Sequence, residues 1–199
     1  MTRRSLHHRA MRARPPAVAV PLAVWAAWYA AYRFYYAFGG QVGMIGRPAP
    51  AAHFRRDNRI CGVMILFAAV LPLIAVWAWR HRSVRRALPV VGWIVAVGCC
   101  AHALTLVILR VLSLAGAHPI HDPPGVWLSL DRRDADLQDL VFNEPWFFIE
   151  GCLWGLFALA ALEPLSRRRW LRSAAMVCVL ATAGGALSGL GALPTLRYG

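Results

Sequence analysis

The chain has 199 residues, 59% of them hydrophobic, and carries a formal charge of +13. A soluble domain is usually about 45–50% apolar, and a soluble helical bundle shows charged residues every few positions along each helix. Here the apolar excess falls in five blocks of about 20 residues, the length that crosses ~30 Å of hydrocarbon. All 22 basic residues are arginines, set in short clusters between those blocks. The charge therefore points to membrane topology and to anionic lipid head groups at the cytoplasmic face, and away from nucleic acid.

The first 16 residues form an arginine-rich tail with Arg3, Arg4, Arg9, Arg12 and Arg14. Thr2-Arg3-Arg4-Ser5-Leu6 resembles a twin-arginine export signal. The block that follows is rich in Trp and Tyr and lacks a small-x-small cleavage site, so the tail is expected to stay as an anchor. The predicted spans are about residues 17–38, 60–79, 88–114, 145–162 and 171–193. The expected fold is a single all-α membrane domain over residues 1–199, a five-helix bundle, with four spans as the alternative.

Arginine placement gives the direction. The tail, the loop with Arg80, Arg82, Arg85 and Arg86, and the loop with Arg167, Arg168, Arg169 and Arg172 fall on one side. The other side holds Arg47, Arg55, Arg56 and Arg59 in the first loop, Arg132 and Arg133 in the long loop, and Arg197. The heavier side is expected to be cytoplasmic, with the N-terminus inside and the C-terminus outside.

Two longer connections lie on the outer side. Residues 39–59 are rich in Gly and Pro. Residues 126–142 read as an amphipathic interfacial helix, with Trp127, Leu130, Leu137 and Val141 on the apolar face and Asp131, Arg132, Asp134, Asp136 and Asp139 on the other. Before it, His118, His121 and Asp122 are a weak metal candidate. The two histidines are separated by a proline-containing turn rather than set at i,i+4, so an ordinary loop is expected there, and no cofactor.

Small residues recur every four positions: Ala181, Gly185 and Gly189 in span five, Gly151 and Gly155 in span four, Gly92, Ala96 and Cys100 in span three, and Ala23, Ala27 and Ala31 in span one. Such stripes let helices approach closely, within one chain or between copies in a homo-oligomer. The five cysteines lie in or beside the apolar blocks without a Cys-x-x-Cys pair, so neither a disulfide framework nor a zinc site is expected.

Charges inside hydrocarbon are costly and mark sites. Arg33, Arg110 and Glu150 fall within spans. With a rise of about 1.5 Å per residue, Arg33 and Glu150 come out at similar depth in the outer leaflet and are expected to pair. Tyr29, Tyr32 and Tyr36 flank Arg33, and Asn143, Trp146 and Trp154 fall on the face of Glu150. With His102 and Thr105, these residues are expected to line an aromatic pocket that opens outward. The bland alternative is a structural ion pair with snorkelling arginines.

Tyr32-Arg33-Phe34-Tyr35-Tyr36-Ala37-Phe38-Gly39-Gly40, followed by Val42-Gly43-Met44, resembles the first helix and loop of a family of small actinobacterial membrane proteins of unknown function. In that family a Tyr-Trp-Ala-x-Gly-Gly type segment closes span one. Asn143-Glu144-Pro145-Trp146-Phe147-Phe148 resembles its Glu-Pro-Trp-Phe start of span four. The resemblance covers the first two spans and the start of the fourth. It implies a bacterial plasma-membrane protein, and no activity. Two functions are compatible with these residues. One is a lipid- or partner-binding bundle. The other is an intramembrane enzyme acting on a lipid or isoprenoid, with Glu150 as general base and Arg33 or Arg110 holding an acidic group.

Overall fold

The computed structural model describes residues 16–118 and 127–193. These residues are 79% helical with almost no strand, so the fold is all-α. The long helices are α1 (Ala19–Ala37), α2 (Ala51–Trp77), α3 (Arg82–Leu114), α5 (Glu144–Ala160) and α6 (Pro164–Gly189). A short strand β1 (Gly46–Pro48) pairs antiparallel with β2 (Trp127–Leu130), matching Gly46 to Leu130 and Arg47 to Ser129. After β2 come a short helix α4 (Arg132–Gln138) and a π-helical turn over Asp139–Asn143 that leads directly into α5.

Three helices, α2, α3 and α6, are long and apolar enough to cross a membrane. Their outer faces are correspondingly apolar: Met64, Phe67 and Trp77 on α2 and Met176, Val179 and Leu180 on α6 are exposed. Buried helix here belongs to α1 and α5. Leu22, Trp154 and Phe157 are fully enclosed and gather with Ala19, Trp79 and Leu88 at one end of the bundle.

Glycine stops α1, α3 and α6 in the same way. Gly39, Gly116 and Gly191 each follow the last helical turn with positive φ. At each, the next two amides turn back to the helix's last carbonyls, as in Gly39 N to Tyr36 O and Gly40 N to Tyr35 O. This is the left-handed cap that only glycine adopts without strain.

The helices approach through the small residues. A Cβ at Gly151 would stand 2.6 Å from Cys100 Sγ and 3.0 Å from the Ala96 carbonyl oxygen, and one at Gly92 would stand 2.5 Å from Ala158 Cβ. So α5 lies against α3 at nearly backbone contact. On α6, Gly185 sits on Thr105 and Gly189 on Leu109 of α3. The stripes on α3, α5 and α6 are thus consumed within one chain. Trp170 Nε1 donates to the Pro89 carbonyl at 2.8 Å and Trp93 Nε1 to Ser173 Oγ at 3.1 Å, tying α6 to α3 at its other end.

Two expected boundaries are corrected. Helix α2 begins at Ala51, not near 60, because Pro50 starts it and the charged turns that follow are helical. Arg55, Arg56 and Arg59 therefore stand on α2 rather than in a loop. The expected amphipathic helix over 126–142 has strand at its start. Residues Trp127–Leu130 pair with β1, and helix starts only after Asp131, whose carboxylate caps it by accepting from Asp134 N at 3.0 Å. Its charged side is divided, with Asp131 and Asp134 exposed. Asp136 is 1% exposed, while Leu137 and Val141 point outward at 41% and 76%. Arg110 on α3 supplies the charge that draws Asp136 inward.

Candidate functional site

Arg110 lies near the end of α3, where α4 and the π turn cross it. Its Nη1 donates to Asp136 Oδ1 at 2.9 Å and its Nη2 reaches Asp139 Oδ2 at 2.5 Å. Ser113, one helical turn on, donates Oγ–H to Asp136 Oδ2 at 2.6 Å. Both Asp136 oxygens are thus paired, as a carboxylate at this burial requires.

From Asp139 the network continues across the bundle. Asn143 Nδ2 donates to Asp139 Oδ1 at 2.6 Å. The Tyr29 hydroxyl donates to Asn143 Oδ1 at 3.1 Å and accepts from Arg33 Nη2 at 2.8 Å. Arg33 Nη1 donates to Asn58 Oδ1 at 3.3 Å, and Asn58 is fixed by its own Nδ2 bond to the Phe54 carbonyl at 2.9 Å. One hydrogen-bonded chain therefore links α2, α1, the π turn, α3 and α4. The π turn is what makes this possible: its wide i to i+5 bond, Glu144 N to Asp139 O, sits within the turn that carries both Asp139 and Asn143.

Arg33 is held without a carboxylate. Its bonded partners are the neutral oxygens of Asn58 and Tyr29, and its guanidinium lies 5.0 Å from the Tyr29 ring centroid and 5.9 Å from that of Tyr32. Its Nε is buried with no hydrogen-bond partner. Ring contacts of this kind contribute about 0.5–2 kcal/mol depending on desolvation, which does not replace a counter-ion.

The expected Arg33–Glu150 pair is not formed. Glu150, 7% exposed, accepts from Trp154 Nε1 at 2.9 Å, and its other oxygen is buried without a partner. The helix register separates them: Trp25 Nε1 donates to the Trp146 carbonyl and the Tyr29 hydroxyl to Asn143, so Arg33 lies one turn beyond this contact towards the cavity and Glu150 one turn beyond it towards the opposite end. Glu150 points to the core side of α5, where Trp154 lies one turn below. Trp146 instead stacks on Trp25 at 4.0 Å and on Tyr29 at 4.9 Å, filling the space between α1 and α5.

A cavity of about 260 Å³ opens between the network and the β1–β2 ribbon. Its charged walls are Arg33, Arg110 and Asp139, and its polar walls include Asn58, Gln138 and Asn143. Tyr32, Tyr36, Phe54 and Trp127 supply rings. Of the expected pocket residues, Tyr32, Tyr36, Asn143, Arg33 and Arg110 line it. Tyr29 stands behind it as a relay, and Trp146, Trp154, Glu150 and His102 line other parts of the bundle. His102 Nε2 lies 3.9 Å from Glu144 Oε2 on the far side of α3, and Thr105 faces α6.

Asn58 was missed because its segment read as a loop. The available signal was Phe54, Asn58 and Gly62 at i,i+4 spacing, one buried face of a helix entering the bundle. His121 and Asp122 lie outside the described residues. His118 Nε2 meets the Gly189 carbonyl at 3.2 Å. Among the described residues no group of three ligating side chains is arranged to hold a metal ion. No protein-family model, curated protein or solved structure matches this chain.

Proposed function

We propose that this chain is a multi-pass protein of the bacterial plasma membrane, with five spans, the N-terminus in the cytoplasm, and a site for the polar head of an amphiphile at its outer end. The single observation that carries the binding function is the cavity in which Arg33 meets no carboxylate. Arg33 is half-buried with its Nε enclosed and without a hydrogen-bond partner; such a charge keeps part of its desolvation cost, and a bound acidic group lowers it. The volume supports a head group rather than a whole lipid, being below the ~300–1,000 Å³ typical of sites for drug-sized ligands. Helices α1 and α5, 19 and 17 residues long and apolar in composition, complete the five spans. The arginine excess on the tail, at Arg80 and in the first turns of α3 and α6 supports the orientation.

The test is lipid analysis of the purified protein. Wild type is expected to retain an amphiphile through mild detergent extraction and gel filtration, detected by mass spectrometry. Arg33→Gln, checked for a monodisperse elution profile, is expected to lose it several-fold. Equal retention by both proteins, or none by either, overturns the reading.

A further inference from the structure

The charges around the cavity are not simply positive. Arg110 faces two carboxylates, Asp136 and Asp139, so this group carries one net negative charge. Arg33 carries one positive charge among neutral partners. The two poles are separated by the Tyr29–Asn143 relay, and Arg33, Arg110 and Asp139 all line the cavity. A simple anion seated at Arg33 would also face Asp139, and a simple cation would meet the reverse conflict.

The rings add to this. Tyr32 meets Tyr36 edge-on at 5.0 Å, Tyr36 meets Phe54 at 6.0 Å, and Phe54 meets Trp127 at 5.7 Å. They form a continuous aromatic run from α1 through α2 to β2, along the cavity lining. Aromatic faces attract ammonium groups, and cages of them recognise alkylated ones.

We propose that the cavity takes a zwitterionic head group, with its phosphate or carboxylate at Arg33 and its alkylammonium among the rings of Tyr36, Phe54 and Trp127, in the cavity that Asp139 also lines. The proposal rests on the reading of this cavity as a head-group site and names the class of head group. The anionic end supplies the charge Arg33 lacks. The cationic end offsets the surplus carboxylate beside Arg110. Neither pole is then left uncompensated.

Calorimetric titration of the full chain in maltoside micelles tests this with free phosphocholine, choline and inorganic phosphate, and with short-chain phosphocholine and phosphoglycerol lipids below their micellar concentrations. Phosphocholine is expected to bind at least about tenfold more tightly than phosphate or choline, the scale of one desolvated ammonium–ring contact. Trp127→Leu, at a half-buried strand position and checked for a monodisperse elution profile, is expected to weaken phosphocholine several-fold. A free head group that binds as well as the short-chain lipid identifies a soluble ligand of the same chemistry; tighter binding of the lipid identifies a membrane source. Phosphoglycerol lipid binding as tightly as phosphocholine lipid, lost in Arg33→Gln, overturns the zwitterion and leaves the head-group site standing. Absence of binding by every probe, with no amphiphile co-purifying, overturns both.

Discussion

Arg110 on α3 and Asp136 on α4 form an ion pair at 2.9 Å, with the arginine side chain 16% and the aspartate 1% exposed. This contact fastens the segment after β2 to the bundle and turns Asp136 inward. Because Asp139 shares the same guanidinium, one arginine holds two carboxylates. Replacing it strands both.

Arg110→Met is therefore expected to destabilise the protein by about 3–5 kcal/mol, the cost of leaving a buried charge unpaired. Asp136→Asn is expected to cost less, because an amide oxygen still accepts from Arg110 or Ser113. Thermal unfolding of the two variants in detergent, followed by gel-filtration recovery, checks the order. A milder effect for Arg110→Met than for Asp136→Asn contradicts the arrangement.

Arg33 and Glu150 are expected to act independently. Glu150→Gln keeps an oxygen for Trp154 Nε1 and should change stability by less than about 1 kcal/mol. Glu150→Leu leaves that indole N–H unsatisfied and should cost about 1–3 kcal/mol. Combined with Arg33→Gln, the Glu150→Gln effect should add within about 0.5 kcal/mol, as for groups without shared partners. Strong rescue in the double variant would restore the direct ion pair.

Close packing of α5 on α3 makes a matched pair of glycine substitutions informative. Gly151→Ala drives a methyl into Cys100 Sγ and the Ala96 carbonyl. It should cost about 1–3 kcal/mol by overpacking. Gly155→Ala, one turn away, meets only ordinary contacts at 3.7 Å and should be close to neutral. Equal losses at both positions would mean that α5 and α3 are not in this register.

The proposed orientation puts the β1–β2 ribbon outside the cell. Ser129, exposed on β2 opposite Arg47, is a direct reporter. In a background with the native cysteines replaced, Ser129→Cys should react with a membrane-impermeant maleimide on intact cells. Reaction only after permeabilisation would reverse the topology.

Much of this architecture was legible in the residues. Apolar blocks of bilayer length located the five long helices, because hydrophobic composition is a property of each segment alone. The tyrosines around Arg33 and the charges Arg33 and Arg110 were recognised as a polar cluster, because charge in an apolar block is conspicuous without any partner in view. The small-residue stripes predicted close packing, though not that α6 would spend its stripe on α3.

What the tertiary structure alone decided is pairing and facing. Rise per residue was expected to set Arg33 and Glu150 at one depth, but the register of α1 on α5, fixed by Trp25 on Trp146 and Tyr29 on Asn143, moves them apart along the helix axes. Trp154 took Glu150, and Asn58 and Tyr29 took Arg33. The segment after β2 read as an amphipathic interfacial helix by its own periodicity. A guanidinium on α3, distant in sequence, turned Asp136 and Asp139 of its charged side towards the bundle, because a buried carboxylate needs a partner. A cavity is likewise a relation among six elements, and no one of them carries its outline.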